Sequence, residues 1–334
     1  MSLVPPTTVA LDLRGVRLSL ERDALMELPE SVLLCLFPNG VVLSPQRQPG
    51  SPDENEEDVY FVDFDSKCLD FVLDFFATAR DAFYGTGGDG PRRDLSFTSP
   101  LAQSNMQNPL FLKQAIIVLR EELEYFAIPP SRKALDGSAT TAAPNADSHP
   151  GTDELGKPNA ALSQLKIDCG TALLEHRSIF TALQRNVSRD NNVAEQHLID
   201  MLCMSGFERE DLWGYRALEP NRCCIASIAL VLLKTGITHG GPTGGSTAGS
   251  GPASPTSDSG VTTSSEDAHA AGTGGVQVDA QQLATAQKLL LFWRKPARKC
   301  WWDATDVVLH QGTPQERALK VWARRVWTLE LSLI

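Results

Sequence analysis

The spacing of apolar side chains changes several times along this chain, and each change marks an element. A short apolar pair of segments, VALDLRGVRLSL, surrounds Arg14-Gly15 and is followed by the helix-like RDALMEL. Pro29-Glu30-Ser31 then leads into the apolar VLLCLF, an acidic loop and the strand-like VYFVDFD. From Ser66 to Phe83 apolar residues recur at Leu69, Val72, Leu73, Phe76 and Phe83, with Asp70, Asp74 and Asp81 on the opposite side, which predicts an amphipathic helix. Phe71 and Phe75 widen its apolar stripe, so the helix is either sandwiched between two layers or presents a partner face. Asn108-Pro109 is a helix start, and LFLKQAIIVLREELEYFAI reads as a second helix ended by Pro129-Pro130.

Further along, CGTALLEHRSIFTALQ, NVAEQHLIDMLCMSGF and RCCIASIALVLLKTG each repeat apolar residues at three and four, which predicts a helical block over 161–235 with Gly206 at a helix C-terminus. The last segment, 276–334, holds five of the six tryptophans. In it KLLLFWR and the stretch after Arg298 read as strands. RRVWTLELSLI alternates Trp327, Leu329, Leu331 and Leu333 against Thr328, Glu330 and Ser332, the period of a half-buried strand, while Ala318 to Val326 fits either a strand or a helical turn. A small antiparallel sheet packing on the helical block is expected here.

Composition separates these blocks. Loops at 45–57 and 85–107, a linker at 131–160 and a Gly/Ser/Thr/Pro linker at 236–275 carry too few apolar side chains to offset the entropy of ordering them. The ordered pieces are then 7–130, 161–235 and 276–334. The longest apolar run, Cys223 to Leu233, falls far short of the roughly 18 residues that a bilayer span needs. Neither a secretory leader nor a lipidation signal is read at the ends, so a cytoplasmic protein without direct membrane insertion is expected. Seven scattered cysteines without a CxxC pair read as buried reduced thiols rather than a metal site.

The net charge of −11 opposes general affinity for nucleic acid, but it is unevenly spread. The last 48 residues carry nine Lys/Arg and four acids, so they stand at +5 against −16 for the remainder. Such asymmetry points to two surfaces with different partners or to one half docking on the other.

Sites of chemistry are scarce. Gly85 to Gly90 satisfies a dinucleotide-loop pattern, yet a helix precedes it and Pro91-Arg92-Arg93 follows, which removes the strand-to-helix turn that cradles a pyrophosphate. Phe61 to Ser66 resembles the aspartate-nucleophile signature of haloacid-dehalogenase phosphatases, but Lys67 and Cys68 follow where that family has a Thr or Val and an apolar residue. In a strand-then-helix reading the same residues end a strand, and Asp65 or Ser66 caps the next helix. No Ser/His/Asp system is visible, so no catalytic residue, cofactor site or metal site is assigned. What stands out is basic residues interleaved with tryptophan in 293–302 and again in 322–327. Arg298, Lys299, Trp301, Trp302, Arg324 and Arg325 are candidates, with Phe71 and Phe75, for binding a partner. The same residues also fit a core with cation–π support or, against the acidic remainder, a single-stranded nucleic-acid site.

The order of elements from Val9 to Phe126 resembles the BTB/POZ fold in its potassium-channel-tetramerisation (KCTD-like) form. The fold class expected is α+β: an N-terminal BTB/POZ domain, a helical block and a small antiparallel C-terminal sheet. Taken whole, the chain resembles the fungal general stress-response phosphatase-activator family. The resemblance rests on LRGVRLSLERDALMELPESVLLCLFPNG, VYFVDFDSKCLDFVLDFF, AEQHLIDMLCMSGF, KPARKCWWD and VWARRVWTLELSLI. It implies a non-enzymatic scaffold that recruits or activates a plasma-membrane-associated, aspartate-based phosphatase in the stress response and restrains nutrient (TORC1) signalling. Its partners would be that phosphatase and signalling proteins, with self-association through the BTB domain, no nucleic acid, and recruitment to the plasma membrane through the partner. The alternative from another class is a BTB substrate adaptor of a cullin-3 ubiquitin ligase. One glycine, Gly15, where KCTD domains often have two, and the Gly-rich insertion before Asn108 set this chain apart, so no tetramer or cullin contacts are carried over.

Overall fold

The computed structural model describes residues 8–37, 59–85, 108–127, 160–238 and 277–334. The loops and linkers expected at 45–57, 85–107, 131–160 and 236–275 fall outside these residues, apart from Gly85, Ala160 and 236–238. The N-terminal unit begins with a hairpin of β1 (Thr8–Leu13) and β2 (Val16–Glu21). Arg14 and Gly15 form its two-residue turn at φ of 52° and 94°, the left-handed conformation that such tight hairpins require. Helices α1 (Arg22–Met26) and α2 (Glu30–Leu36) follow, and β3 (Val59–Val62) adds to β1 in parallel to give the order β2-β1-β3. α3 (Ser66–Tyr84) starts where expected: the Asp65 carboxylate accepts hydrogen bonds from the amides of Lys67 (2.8 Å) and Cys68 (3.2 Å), satisfying two orphan donors of the first turn.

The next helix is much shorter than its sequence suggests. Asn108 caps α4 (Pro109–Leu112) as expected, but the chain then extends into β4 (Ala115–Ala127), the central strand of a five-stranded antiparallel sheet. That sheet runs in the order β5-β6-β4-β10-β9. Its members are β5 (Tyr215–Leu218), β6 (Cys224–Leu232), β9 (Ala297–Leu309) and β10 (Arg317–Leu333) beside β4. Two further expectations are corrected here. RCCIASIALVLLKTG forms strand β6, not a helix, and KLLLFWR lies in helix α8 (Ala280–Trp293), not a strand. Ala318 to Val326 is strand throughout, so β10 pairs without interruption from Arg317 to Leu333. A two-residue ladder, β7 (Ile237–Thr238) with β8 (Gln277–Val278), precedes α8.

The sheet is therefore larger than the C-terminal sheet expected, and it draws strands from all three ordered pieces. Successive residues of β4 point to opposite sides. Ile117 and Leu119 pack with α8 and with helices α6 (Thr181–Asp190) and α7 (Val193–Ser205), and Leu123 and Tyr125 meet α5 (Ala160–Leu174). Ile116 and Val118, with Ile228 and Leu230 of β6, join the core of the N-terminal unit on the other side. Burial of both faces of these strands explains why β4 and β6 lack period-2 alternation in their apolar runs. The N-terminal unit is also tied down by polar contacts. Helix α2 begins at Pro29, which has no capping side chain, and the buried Glu330 carboxylate of β10 accepts the Glu30 and Ser31 amides instead, both at 2.8 Å. Arg14 bridges the hairpin to Asp63 and to Glu219 at 2.6 Å each.

Gly206 ends α7 at φ 150°, as the sequence predicts, and lets Ser205 accept the Lys234 amide at 2.9 Å. A Cβ at this position would lie 2.6 Å from the backbone carbonyl oxygen of Leu232, which cannot rotate away. Gly206→Ala is expected to destabilise the fold by about 2 kcal/mol or more, because backbone strain and displacement of β6 add. Urea denaturation at unchanged m-value measures it, and a cost below about 0.5 kcal/mol would show that α7 shifts freely.

Candidate partner-binding surface

Strand geometry sorts the tryptophan- and arginine-rich segment into two sets. β9 pairs with β10 so that Trp301 lies opposite Arg325 and Trp302 opposite Arg324, and neighbours in each strand face opposite sides of the sheet. Lys299, Trp301, Asp303, Arg325 and Trp327 face the helices. Arg298, Cys300, Trp302, Trp322 and Arg324 face the other way, beyond the part of the sheet that the N-terminal unit covers.

The inward set builds a core with a charged centre. Trp327 is buried and meets Trp301 edge-on at 5.3 Å between ring centroids, Trp213 at 6.0 Å and Phe180 at 6.4 Å. Lys299 sits 5.5 Å over the Trp301 ring while pairing with buried Glu195 at 3.1 Å. At the middle, buried Glu121 of β4 pairs with Arg216 of β5 and Arg325 of β10, both at 2.7 Å, and accepts a hydrogen bond from Trp327 Nε1 at 3.0 Å. Burial alone would push the Glu121 carboxyl above its ordinary range, but the charges of Arg325 and Arg216 outweigh it and hold the group below that range. The same burial presses Arg216 below its ordinary value, though a guanidinium starts so high that it stays charged. Asp303 extends the cluster to Arg185 at 3.3 Å and to Arg325 at 3.6 Å.

The outward set is exposed. Trp302 is 58% exposed, Phe126 46% and Trp322 42%, and the Phe126 and Trp302 rings lie 5.6 Å apart. Arg324 pairs with Glu124 at 3.1 Å, and Arg298 is exposed four residues before Trp302 on the same face. Aromatic and arginine side chains gathered on an open sheet face have the composition of a protein–protein hot spot. Of the residues singled out in the sequence, this surface contains Arg298, Trp302 and Arg324. Lys299, Trp301 and Arg325 belong to the interior cluster, so the core and surface readings divide the segment between them. Phe126 and Trp322 complete the surface. Phe126 escaped notice because its segment reads as a helix, where it would not stand beside Trp302.

Phe71 and Phe75 are half-buried on α3 and pack against the N-terminal core. The Phe71 ring fills the space at Gly214, where an added Cβ would stand 2.4 Å from it. α3 thus lies between its own sheet and the five-stranded one. The Asp63 carboxylate is engaged by Arg14 at 2.6 Å, and among the described residues no cluster of His, Cys, Asp and Glu has the arrangement of a metal site. All seven cysteines are unpaired, and burial pushes the Cys68 thiol up to about 12, which leaves it inert as a nucleophile. Among the described residues no helix is long and apolar enough to cross a membrane.

A WHI2-like protein of Schizosaccharomyces pombe is 31% identical to this chain over 330 residues, covering 98% of the chain and 88% of the relative. The chain belongs to the WHI2-like family. A protein of Saccharomyces cerevisiae named a growth regulation protein is 28% identical to it, over 94% of this WHI2-like chain and 88% of the relative. No family model matches the chain and no solved structure matches it. The similarity spans all five strands of the large sheet, so the WHI2-like kinship takes in the tryptophan-rich surface as well as the N-terminal unit.

Proposed function

We propose that this WHI2-like chain is a growth-regulation protein that works as a non-enzymatic scaffold: it holds a plasma-membrane-associated, aspartate-based phosphatase and promotes its action in the general stress response and in TORC1 signalling. The observation that supports this reading best is the open sheet face carrying Trp302, Trp322 and Phe126, with Arg324 opposite Trp302 and Arg298 further along the same strand, a surface with the chemistry of protein recognition. Kinship with a growth regulation protein supports the regulatory setting. The N-terminal unit, a strand hairpin followed by two short helices, a parallel third strand and a long helix, is on this reading a BTB/POZ module for self-association or partner contact.

The test is affinity purification from stressed cells of the wild-type chain beside Trp302→Ala/Trp322→Ala. A phosphatase should accompany the wild type and fall by about 30-fold or more in the variant, the loss of a hot spot worth about 2 kcal/mol. The variant should remain folded, at a cost of about 1 kcal/mol or less for each ring. Phosphate release by the pure chain that Asp63→Asn abolishes would make the protein an enzyme. Co-purification of a cullin in place of a phosphatase would make it a ubiquitin-ligase adaptor.

A further inference from the structure

Helix α8 is docked by one face only. Leu283, Ala286, Leu289 and Trp293 are buried against the sheet, whereas Leu291 is 82% and Phe292 73% exposed, the two most exposed large apolar side chains among the described residues. They sit side by side in the last turn of the helix. Lys288 lies three and four positions before them on the same outer face, and exposed Arg294 and Lys295 follow directly where the helix ends. From Ala280 to Trp302 the chain has five Lys/Arg and no acid, in a protein whose net charge is −11. Of those five, Lys299 is held by Glu195, while Lys288, Arg294, Lys295 and Arg298 form no ion pair among the described residues.

We propose that the end of α8 is a membrane-surface contact: Leu291 and Phe292 dip into the interface of an anionic bilayer while Lys288, Arg294 and Lys295 meet its headgroups. An apolar tip ringed by cations is the arrangement that adsorbs to such surfaces. A protein partner would have to supply a pocket for two protruding side chains, but a bilayer accepts them without shape complementarity. The tryptophan-rich surface lacks this character, because Glu122, Glu124 and Asp306 stand among the cations of its face and Arg324 is already paired with Glu124. The contact is adsorption of one helix end, not a span. It stands apart from the scaffold reading, since its test contains no phosphatase.

The full chain is sedimented with phosphatidylcholine vesicles, with and without about one third phosphatidylserine. Binding is expected only with phosphatidylserine, and it should weaken as salt rises. Leu291→Ser/Phe292→Ser should lower the partition coefficient about tenfold or more. Lys288→Gln/Arg294→Gln/Lys295→Gln should lower it about 100-fold, at roughly one kcal/mol per cation converted to a ratio. Every substituted side chain is exposed, so the unfolding midpoints of both variants should match the wild type. The proposal is overturned if phosphatidylserine confers no binding at low salt, or if both variants bind like wild type. It is also overturned if vesicle binding is unchanged while the same substitutions remove an acidic protein partner, which would assign the surface to that protein.

Discussion

Glu121→Ala is expected to destabilise the protein by about 3–5 kcal/mol, a large share of the 5–15 kcal/mol that separates typical folded and unfolded chains. The size comes from what is left behind rather than from what is removed. Glu121 balances two guanidinium groups, Arg216 and Arg325, whose side chains are 2% and 11% exposed, and it accepts the buried indole N–H of Trp327. With the carboxylate gone, Arg216 has no other acid within ion-pair reach among the described residues, while Arg325 keeps only the longer contact to Asp303 at 3.6 Å. Adding Arg216→Met to Glu121→Ala should recover part of the loss, because one orphaned buried charge is removed with it. Equilibrium denaturation in urea reads both variants. A cost below about 1 kcal/mol for the single substitution would mean that water reaches the cluster and that these charges are not desolvated.

The same carboxylate sets an acid limit. Its folded pKa lies below the ordinary value, so the unfolded chain binds this proton more readily than the folded one. The stability it contributes is therefore fully present above the unfolded value of about 4.3 and is lost as the pH falls through the lower folded value. In Glu121→Gln, which keeps the volume but carries no titratable group, stability measured from neutral pH down to about pH 3 should fall less steeply than in the wild type.

How far the sequence reveals this architecture depends on whether the deciding contacts are local. The Arg14-Gly15 turn, the Asp65 and Asn108 caps and the Gly206 stop are settled within four residues, and each lies where the sequence places it. β4 and β6 are decided elsewhere. Ile116 to Leu119 and Ile228 to Leu230 are covered from both sides, so their apolar runs carry no alternation and read as helices. REELEYF, with its good helix formers, becomes strand because Glu121 is claimed by Arg216 and Arg325, 95 and 204 residues away. α8 fails in the opposite direction. Its run of three leucines and a phenylalanine looks like a buried strand because Leu291 and Phe292, which face solvent, are counted as core. The tryptophan-rich segment was half legible: a strand after Arg298 already implies that Trp301 and Trp302 diverge. Which of them points inward is fixed by Trp327 and by Glu195, which holds the neighbouring Lys299, and spacing along the strand does not reveal either.

That divergence makes the adjacent tryptophans a sharp test of the whole reading. Trp301→Ala is expected to destabilise by about 3 kcal/mol, since the ring packs edge-on against Trp327 and carries the Lys299 ammonium over its face. Trp302→Ala removes a ring that meets chiefly Phe126 and solvent, so its effect on stability should stay below about 1 kcal/mol. Partner capture should invert the order: the less damaging Trp302→Ala loses the proposed partner, whereas Trp301→Ala, assayed below its lowered midpoint, retains it. If both substitutions destabilise alike, Trp302 belongs to an interior contact and the open face is covered in the folded chain. If neither affects capture, recognition lies away from the five-stranded sheet, and the N-terminal unit becomes the surface to test.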